Sequence, residues 1–458
     1  MRASVSLLLL LAISLYAFVA LAAEPPAEEV ARLASAARPG DVIALADGVW
    51  RDQVIKFRAN GTSGRPITLR ATTPGKVVLS GKSSIEIDGE HVVVSGLLFQ
   101  DGTGEGDAIA LRGHHCRLTE CAVLGGRYKF FVHLFGHENR VDHCYFADKT
   151  SEGPTMQVEA PGEPNGHRID YNHFGQRPPL GRNGGESMRV GYSHQSMNNS
   201  RTLVEHNLFE RCNGENEIIS NKSCENVYRG NTFRECSGFF TLRHGNRSRV
   251  DGNFFLGQRA RGTGGIRVIG EGHTVINNYL DGLEDGALRI TAGIPDSPLV
   301  GYFQARDCVI AFNTIVDSRG PLIDLSAGLG RSGRTLLPEN ITIANNIFAM
   351  REGDLLQGSE GAGWRWLGNV ATTGAHAGVR VLDPRLARAT DGMWRPVADG
   401  PLCGAAEGDF TTVTVDIDGQ PRSAKRDVGC DQISEQPIIE HPLTAGVVGP
   451  SWRKGDAR

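Results

Sequence analysis

One short pattern recurs along this chain and constrains its fold more than any other feature. A few β-branched residues are followed by a small or polar residue, usually Asn, and then by an aromatic or aliphatic pair. It reads Val94-Ser-Gly-Leu-Leu-Phe99, Glu120-Cys-Ala-Val123, Asp142-His-Cys-Tyr-Phe146, Asp170-Tyr-Asn-His-Phe174 and Glu205-His-Asn-Leu-Phe209. It continues as Arg229-Gly-Asn-Thr-Phe233, Asp251-Gly-Asn-Phe-Phe255, Ile276-Asn-Asn-Tyr-Leu280, Ala311-Phe-Asn-Thr-Ile315 and Ala344-Asn-Asn-Ile-Phe348. The closest steps, Asn207 to Asn231 to Asn253 to Asn278, are 24, 22 and 25 residues. A strand-like unit of this length, repeated and punctuated by Gly and Asn, is the mark of a solenoid. Glycine is 58 of 458 residues, roughly 13% against an ordinary ~7%, which fits many tight turns.

No segment between repeats is long or periodic enough for crossover helices, which argues against a Rossmann fold or a TIM barrel. The expectation is an all-β chain, a single-stranded parallel β-helix with rungs about 4.8 Å apart. Its right hand follows from the usual parallel crossover rule. Asn at the bends should tolerate left-handed backbone and bond its neighbours above and below. Glu28 to Ala37 reads as a short amphipathic helix capping the first rung, whose edge would otherwise be unpaired. We expect a leader over residues 1–23, a β-helix domain over 24–433 whose repeat fades after about residue 360, and a C-terminal tail over 434–458.

The leader has Arg2, an apolar run from Val5 to Leu21 and small residues at Ala22 and Ala23, as in a cleaved secretory signal. A secreted or periplasmic protein is expected. No cysteine follows the cleavage region until Cys116, so no lipid anchor is expected, and no later segment is apolar enough to cross a membrane. The net charge of −4 gives no reason to expect a nucleic-acid partner, and a polyanion would need a local basic groove. Nine cysteines show no CxxC spacing, so they read as small buried hydrophobes rather than zinc ligands. Cys403 and Cys430 are the pair that export would most readily allow to oxidise.

The chemistry concentrates in Asn213-Gly-Glu-Asn-Glu-Ile-Ile-Ser-Asn-Lys222 and Leu242-Arg-His-Gly-Asn246. Glu215 and Glu217 are two apart, which on a strand puts both carboxylates on one face. Hard oxygen ligands without a nearby thiolate or HxxxH suit Ca²⁺ better than zinc. Lys222, Arg243 and Arg267 are spaced by 21 and 24 residues, about one repeat, so a basic column beside those carboxylates is expected. A bend is expected between Glu217 and Lys222, and the insertion Pro178-Pro-Leu-Gly-Arg-Asn183 can drape over the same wall. Such a wall suits an acidic polymer. A uronate carries a carboxylate beside the weakly acidic C5. A cation on that carboxylate and a lysine base for the C5 proton would drive β-elimination of the C4 oxygen, which Arg243 can hydrogen-bond.

The strings NGENEIISNKS, NTF, LRHGN, GGIRVIGEGH and WRDQVIKFRANGTSGRPITLRA together resemble polysaccharide lyase family 6, the alginate lyases and chondroitinase B. The resemblance runs from about residue 26 to 430. It implies that Lys222 is the base and Arg243 the acid, that Asn183, Glu215 and Glu217 hold calcium, and that His244 and Arg267 bind substrate. Arg189 is a further candidate substrate contact. Taken singly, Glu-x-Glu on a strand is usually a solvated face, Lys222 a surface lysine, Arg243-His244 a turn cap, Arg267 a structural ion pair and Asn183 ordinary turn chemistry. Their joint spacing and order favour the site.

A β-helix hydrolase of the polygalacturonase kind would need paired catalytic carboxylates, and its GHG and RIK motifs are absent. A carbohydrate-binding β-helix without chemistry is the other alternative, against which stands the retention of both Lys222 and Arg243. The motifs read closer to alginate lyases than to chondroitinase B, so alginate is favoured over dermatan or chondroitin sulfate. Block preference and oligomeric state stay open, and so does endo or exo action, which turns on how loops 292–305 and 327–338 shape the groove.

Overall fold

The computed structural model describes residues 18–20 and 27–454. The expected leader lies outside the described residues apart from Phe18–Ala20, a short strand beside Val42–Ala44. Three long parallel sheets, of 14, 12 and 14 strands, run the length of a right-handed β-helix. Each circuit gives one strand to each sheet. Leu203–Glu205, Leu208–Glu210 and Glu217–Lys222 make one circuit, and Val227–Arg229, Thr232–Arg234 and Gly238–His244 make the next. Register follows rung by rung, with Leu203 beside Val227 and Leu208 beside Thr232.

The repeated asparagine explains why the rungs stack. Asn172, Asn207, Asn231, Asn253, Asn278, Asn313, Asn346 and Asn369 are all fully buried. Each side-chain amide donates to the Oδ1 of the next at 2.9–3.0 Å. That oxygen also accepts the backbone N–H of the preceding member, as between Asn231 and Asn253 (3.0 Å). The left-handed residue at each bend is not the ladder asparagine but the one before it: His206, Asn277, Phe312 and Asn345 have φ of 51° to 55°. The ladder side chain must point inward to meet the rung above, so its neighbour absorbs the turn. Phe146, Phe174, Phe209, Phe233 and Phe255 stack beside the ladder with centroids 4.6–5.4 Å apart.

Replacing Asn253 by alanine strands the Asn231 donors and leaves the carbonyl of Tyr228 without its side-chain partner. The expected loss is about 3 kcal/mol, read from the denaturant midpoint. A loss within 0.5 kcal/mol, about the scatter of surface substitutions, would mean the ladder is decorative.

The N-terminal end is closed. Helix Ala27–Ala36 buries Val30 and Ala34 at the N-terminal end, and its first N–H binds the Gln53 side chain (3.1 Å). Beyond the last paired strand of the long sheets, Val379–Val381, the chain forms loops and one antiparallel hairpin, Leu386–Arg388 with Trp394–Pro396. Residues 434–454 then run back along the helix. Glu440 meets His206 (2.9 Å), Leu443 N–H donates to Thr232 Oγ1 (2.8 Å), and the Trp452 indole donates to the Glu120 carbonyl (2.7 Å). Among the described residues no helix is long and apolar enough to cross a membrane.

The cysteines are all free. The expected Cys403–Cys430 pair is not formed: Cys430 packs in a core cluster with Phe254, Tyr279 and Val316, whereas Cys403 is exposed. Cys212 and Cys236 stack one rung apart, the Cys212 N–H against the Cys236 sulfur at 3.4 Å.

His273 is fully buried, with Nδ1 accepting from Ser248 N–H (3.2 Å) and Nε2 facing the Ile269 carbonyl (3.0 Å). Burial pushes its pKa down to about 4. The unfolded chain therefore binds the proton first, so the contribution is complete above the ordinary histidine range and falls away toward pH 4. Between pH 7 and pH 5 the native chain should lose about 2 kcal/mol that a His273→Asn variant does not. A constant stability difference between the two across that window would refute the assignment.

Candidate active site

The site lies on the 12-stranded sheet, where Met188–Val190, Glu217–Lys222, Gly238–His244 and Thr263–Val268 are successive strands. Gln157, Arg189, Ser220, Thr241 and Arg267 stand in register along this wall. The expected single column of Lys222, Arg243 and Arg267 is corrected by a shift in that register. Asn221 pairs with Leu242 and Lys222 with His244, which leaves Arg243 as the extra residue of a bulge, and Arg267 pairs with Thr241 rather than Arg243. The bulge still turns the three cations to one place. Arg243 Nε and Arg267 Nη1 each lie 3.9 Å from Glu217 Oε1.

Two further expectations change. No bend separates Glu217 from Lys222, because both lie on the strand Glu217–Lys222. Glu215 precedes that strand, so alternation does not place it; the Gly184 N–H holds its Oε2 at 3.0 Å. Gly184 belongs to the insertion predicted to drape over this wall, and Leu180 N–H anchors that insertion to the Gly214 carbonyl (2.9 Å). Asn183 is exposed, immediately before Gly184.

Sequence reasoning missed Glu186. It sits two residues before the strand Met188–Val190 and is 1% exposed. Its backbone carbonyl accepts from the buried Arg177 guanidinium, which also donates to the Gly153 carbonyl (2.8 Å). Glu186 Oε1 lies 3.7 Å from Arg189 Nη1 and 4.0 Å from Lys222 Nζ. The only sequence signal was an acid at the exit of the insertion, three residues after Asn183.

Glu186, Glu215 and Glu217 each offer an oxygen within 4.8 Å of the others. Glu186 Oε2 and Glu215 Oε1 are buried without a hydrogen-bond partner. Burial, followed by the charges of Glu186 and Glu217, pushes the Glu215 carboxyl up to about 7. Buried like charges with orphaned oxygens are costly unless a cation joins them, and an all-oxygen donor set fits a hard divalent ion. A second trio, Asp416, Asp418 and Asp431, is different, because the Arg395 guanidinium bonds both Asp418 and Asp431, the latter at 2.9 Å.

Lys222 is mostly shielded, and its ammonium is held below the ordinary lysine range, first by burial and then by Arg189 and Arg243, against the opposing pull of Glu217 and Glu186. Arg243 Nη1 donates to the Gly301 carbonyl (2.8 Å), and its guanidinium stacks 4.1 Å from the Tyr302 ring centre. His244 is fully buried, with Nδ1 3.3 Å from Arg243 Nη1 and Nε2 3.2 Å from Ser193 Oγ. Burial, with Arg243 and Lys222 close by, pushes its pKa down to about 2, so it stays neutral. Arg189 donates to Gln157 Oε1 (2.6 Å) and lies over Tyr192 (4.6 Å). Tyr192 and Tyr302 were not legible as site residues, since both stand outside the repeat. Elsewhere, a cavity of about 690 Å³ lined by Arg234, Arg259, Asp281 and Asp317 has its chief charges already paired, Arg259 with Asp317 at 2.7 Å.

A parallel β-helix whose wall gathers three carboxylates, a shielded lysine and a set of arginines can hold a cation and an anionic ligand side by side. A family model described as chondroitinase B matches residues 26–358, and the chain belongs to that family, within polysaccharide lyase family 6. No curated protein matches. Among solved structures, the alginate lyase AlyGC of that family is 34% identical over 95% of this chain, with a TM-score of 0.82, and this chain covers 58% of AlyGC. A mannuronic acid specific family 6 lyase from human gut microbiota is 33% identical, with a TM-score of 0.72, over 80% of this chain and 91% of that one. The family 6 lyase from Pseudopedobacter saltans is 26% identical, with a TM-score of 0.72, over 95% and 99%.

Proposed function

We propose that this protein is an exported polysaccharide lyase that cleaves alginate by calcium-assisted β-elimination. The observation that carries the reading is the shielded Lys222 beside three carboxylates with two orphaned oxygens. Glu186, Glu215 and Glu217 would hold the calcium, with Asn183 at its open side. When bound, the ion supplies positive charge opposite the substrate carboxylate. Neutral Lys222 takes the C5 proton. The C5–H electron pair becomes the C4–C5 double bond as the C4–O4 bond breaks. Arg243 hydrogen-bonds the departing O4 and hands on a proton drawn from water, since a guanidinium does not deprotonate by itself. Arg267 and Arg189 orient the sugar. His244, fully buried and neutral, acts on substrate binding by holding Arg243 and Ser193.

Alginate is supported by AlyGC and by the mannuronic acid specific gut enzyme; the chondroitinase B family model makes dermatan sulfate the second substrate to try. The test is ultraviolet absorbance of the mature protein with each polymer and calcium. An unsaturated-uronate band on alginate supports the reading, and a band on dermatan sulfate alone moves the substrate. New reducing ends without a band would make the protein a hydrolase. Export is tested by fractionation, where retention in the cytoplasm would overturn it.

A further inference from the structure

The groove wall on the two sides of the catalytic centre is built differently. Toward the N-terminus, the rung of His133 presents Asp107 and Glu159, each 2.8 Å from its imidazole. Toward the C-terminus, Arg267 is followed in register by Arg289, Asp324 and Gln357, three strand spacings or about 14 Å. Loops 292–305 and 327–338 stand over these rungs and are tied together. Gly293 N–H donates to the Leu336 carbonyl (2.8 Å), Thr335 N–H to Gly293 (2.9 Å), and Gln304 Nε2 to Leu337 (2.6 Å). Tyr302 marks the border, with its ring centre 4.1, 5.7 and 4.4 Å from the guanidinium carbons of Arg243, Arg267 and Arg334.

Past Tyr302 the wall and the second loop enclose about 650 Å³. Arg267, Arg289, Arg331 and Arg334 line it against one carboxylate, Asp324, which already accepts from Gln357 Nε2 (2.8 Å). Arg289 has an ion pair with Asp285 (2.9 Å), a half-exposed partner of little strength. Arg334 is only 8% exposed, and its hydrogen bond runs from Nε to the Arg331 carbonyl (3.0 Å), with no carboxylate paired to it among the described residues. A guanidinium stacked on an aromatic ring and facing other arginines is stabilised by an anion, and a concave basic lining concentrates the field there.

We propose that this cavity is an anion-binding station for carboxylates of the bound polymer beyond the cleaved linkage, so that the longer arm of the chain lies over the Arg267–Gln357 rungs rather than over the Asp107–Glu159 side. The proposal rests on the lyase reading and adds a direction to it. The test uses an Arg289→Gln/Arg331→Gln double variant, which spares the buried Arg334. The ratio of kcat/KM on long alginate chains to that on the shortest cleaved oligomer should fall about tenfold, and the salt dependence of that ratio should weaken. An unchanged ratio overturns the station. Retardation of the protein in gels cast with alginate reads binding without turnover. Relief of retardation in the double variant supports the station even if no unsaturated product ever forms. Equal retardation of both proteins overturns it while leaving the lyase reading intact.

Discussion

Changing Lys222 to alanine is expected to lower turnover by about 10³-fold while leaving the β-helix folded. The side chain projects to the groove and its one ion-pair contact is the long 4.0 Å approach to Glu186, so its removal opens no core cavity. The circular-dichroism spectrum and melting midpoint should stay within the scatter of surface substitutions, and retardation by alginate should persist. In the native protein kcat is expected to rise with pH, because a lysine base works only when deprotonated. The rise should sit below the ordinary lysine range, since burial and then the neighbouring arginines depress Lys222. His244, at about 2, adds no limb above pH 4. A Lys222→Ala protein with native turnover would remove the lysine from the mechanism. A collapsed spectrum would make it structural.

Loss of the carboxylate trio is the second large effect. Chelation should abolish activity, and Glu215→Gln or Glu217→Gln should lower it by at least about 10²-fold. A readout independent of turnover is thermal stability. Calcium at 100 times its Kd adds about 2.7 kcal/mol to a protein that binds it only when folded, and each variant should lose most of that gain. In chelator the order reverses: Glu215→Gln should be more stable than the native chain, because one of three mutually repelling carboxylates, largely withdrawn from water, has been removed. Glu186→Gln should behave in the same way, which its sequence position alone gave no reason to expect. Full activity in excess chelator, with no calcium-dependent gain in stability, would sink the metal assignment.

The period of the fold was readable because the ladder asparagine must recur. From Asn172 to Asn369 each rung carries one buried amide that accepts from the rung before or donates to the rung after, so the residue type repeats at the rung length, while Cys121 and Cys144 hold the same place in earlier rungs. The site residues Glu215, Glu217, Lys222, Arg243 and His244 were readable because they share two adjacent strands and the turn before them. What escaped were the contributions of insertions and the effect of a bulge. Glu186 arrives from a circuit lengthened by the 178–185 loop, 31 positions before Glu217, where no spacing rule reaches it. Tyr302 and Arg334 come from loops outside the repeat, and nothing in their local sequence says that they stack.

The sequence by itself therefore determined the solenoid and its approximate period, the capping helix and the presence of acids and cations at one level of the wall. Hydrogen-bonded repetition and strand alternation are local rules that a chain carries in its spacing. Only the tertiary structure decided that one extra residue at Arg243 would bring Lys222 beside His244, while Arg267 keeps its register with Thr241 on the other side of the strand. It alone joined Glu186 to Glu215 and Glu217 and set Tyr302 among three arginines. Those meetings depend on where variable loops return to a rigid wall, and loop closure is settled by packing across rungs rather than by the residues within any one of them.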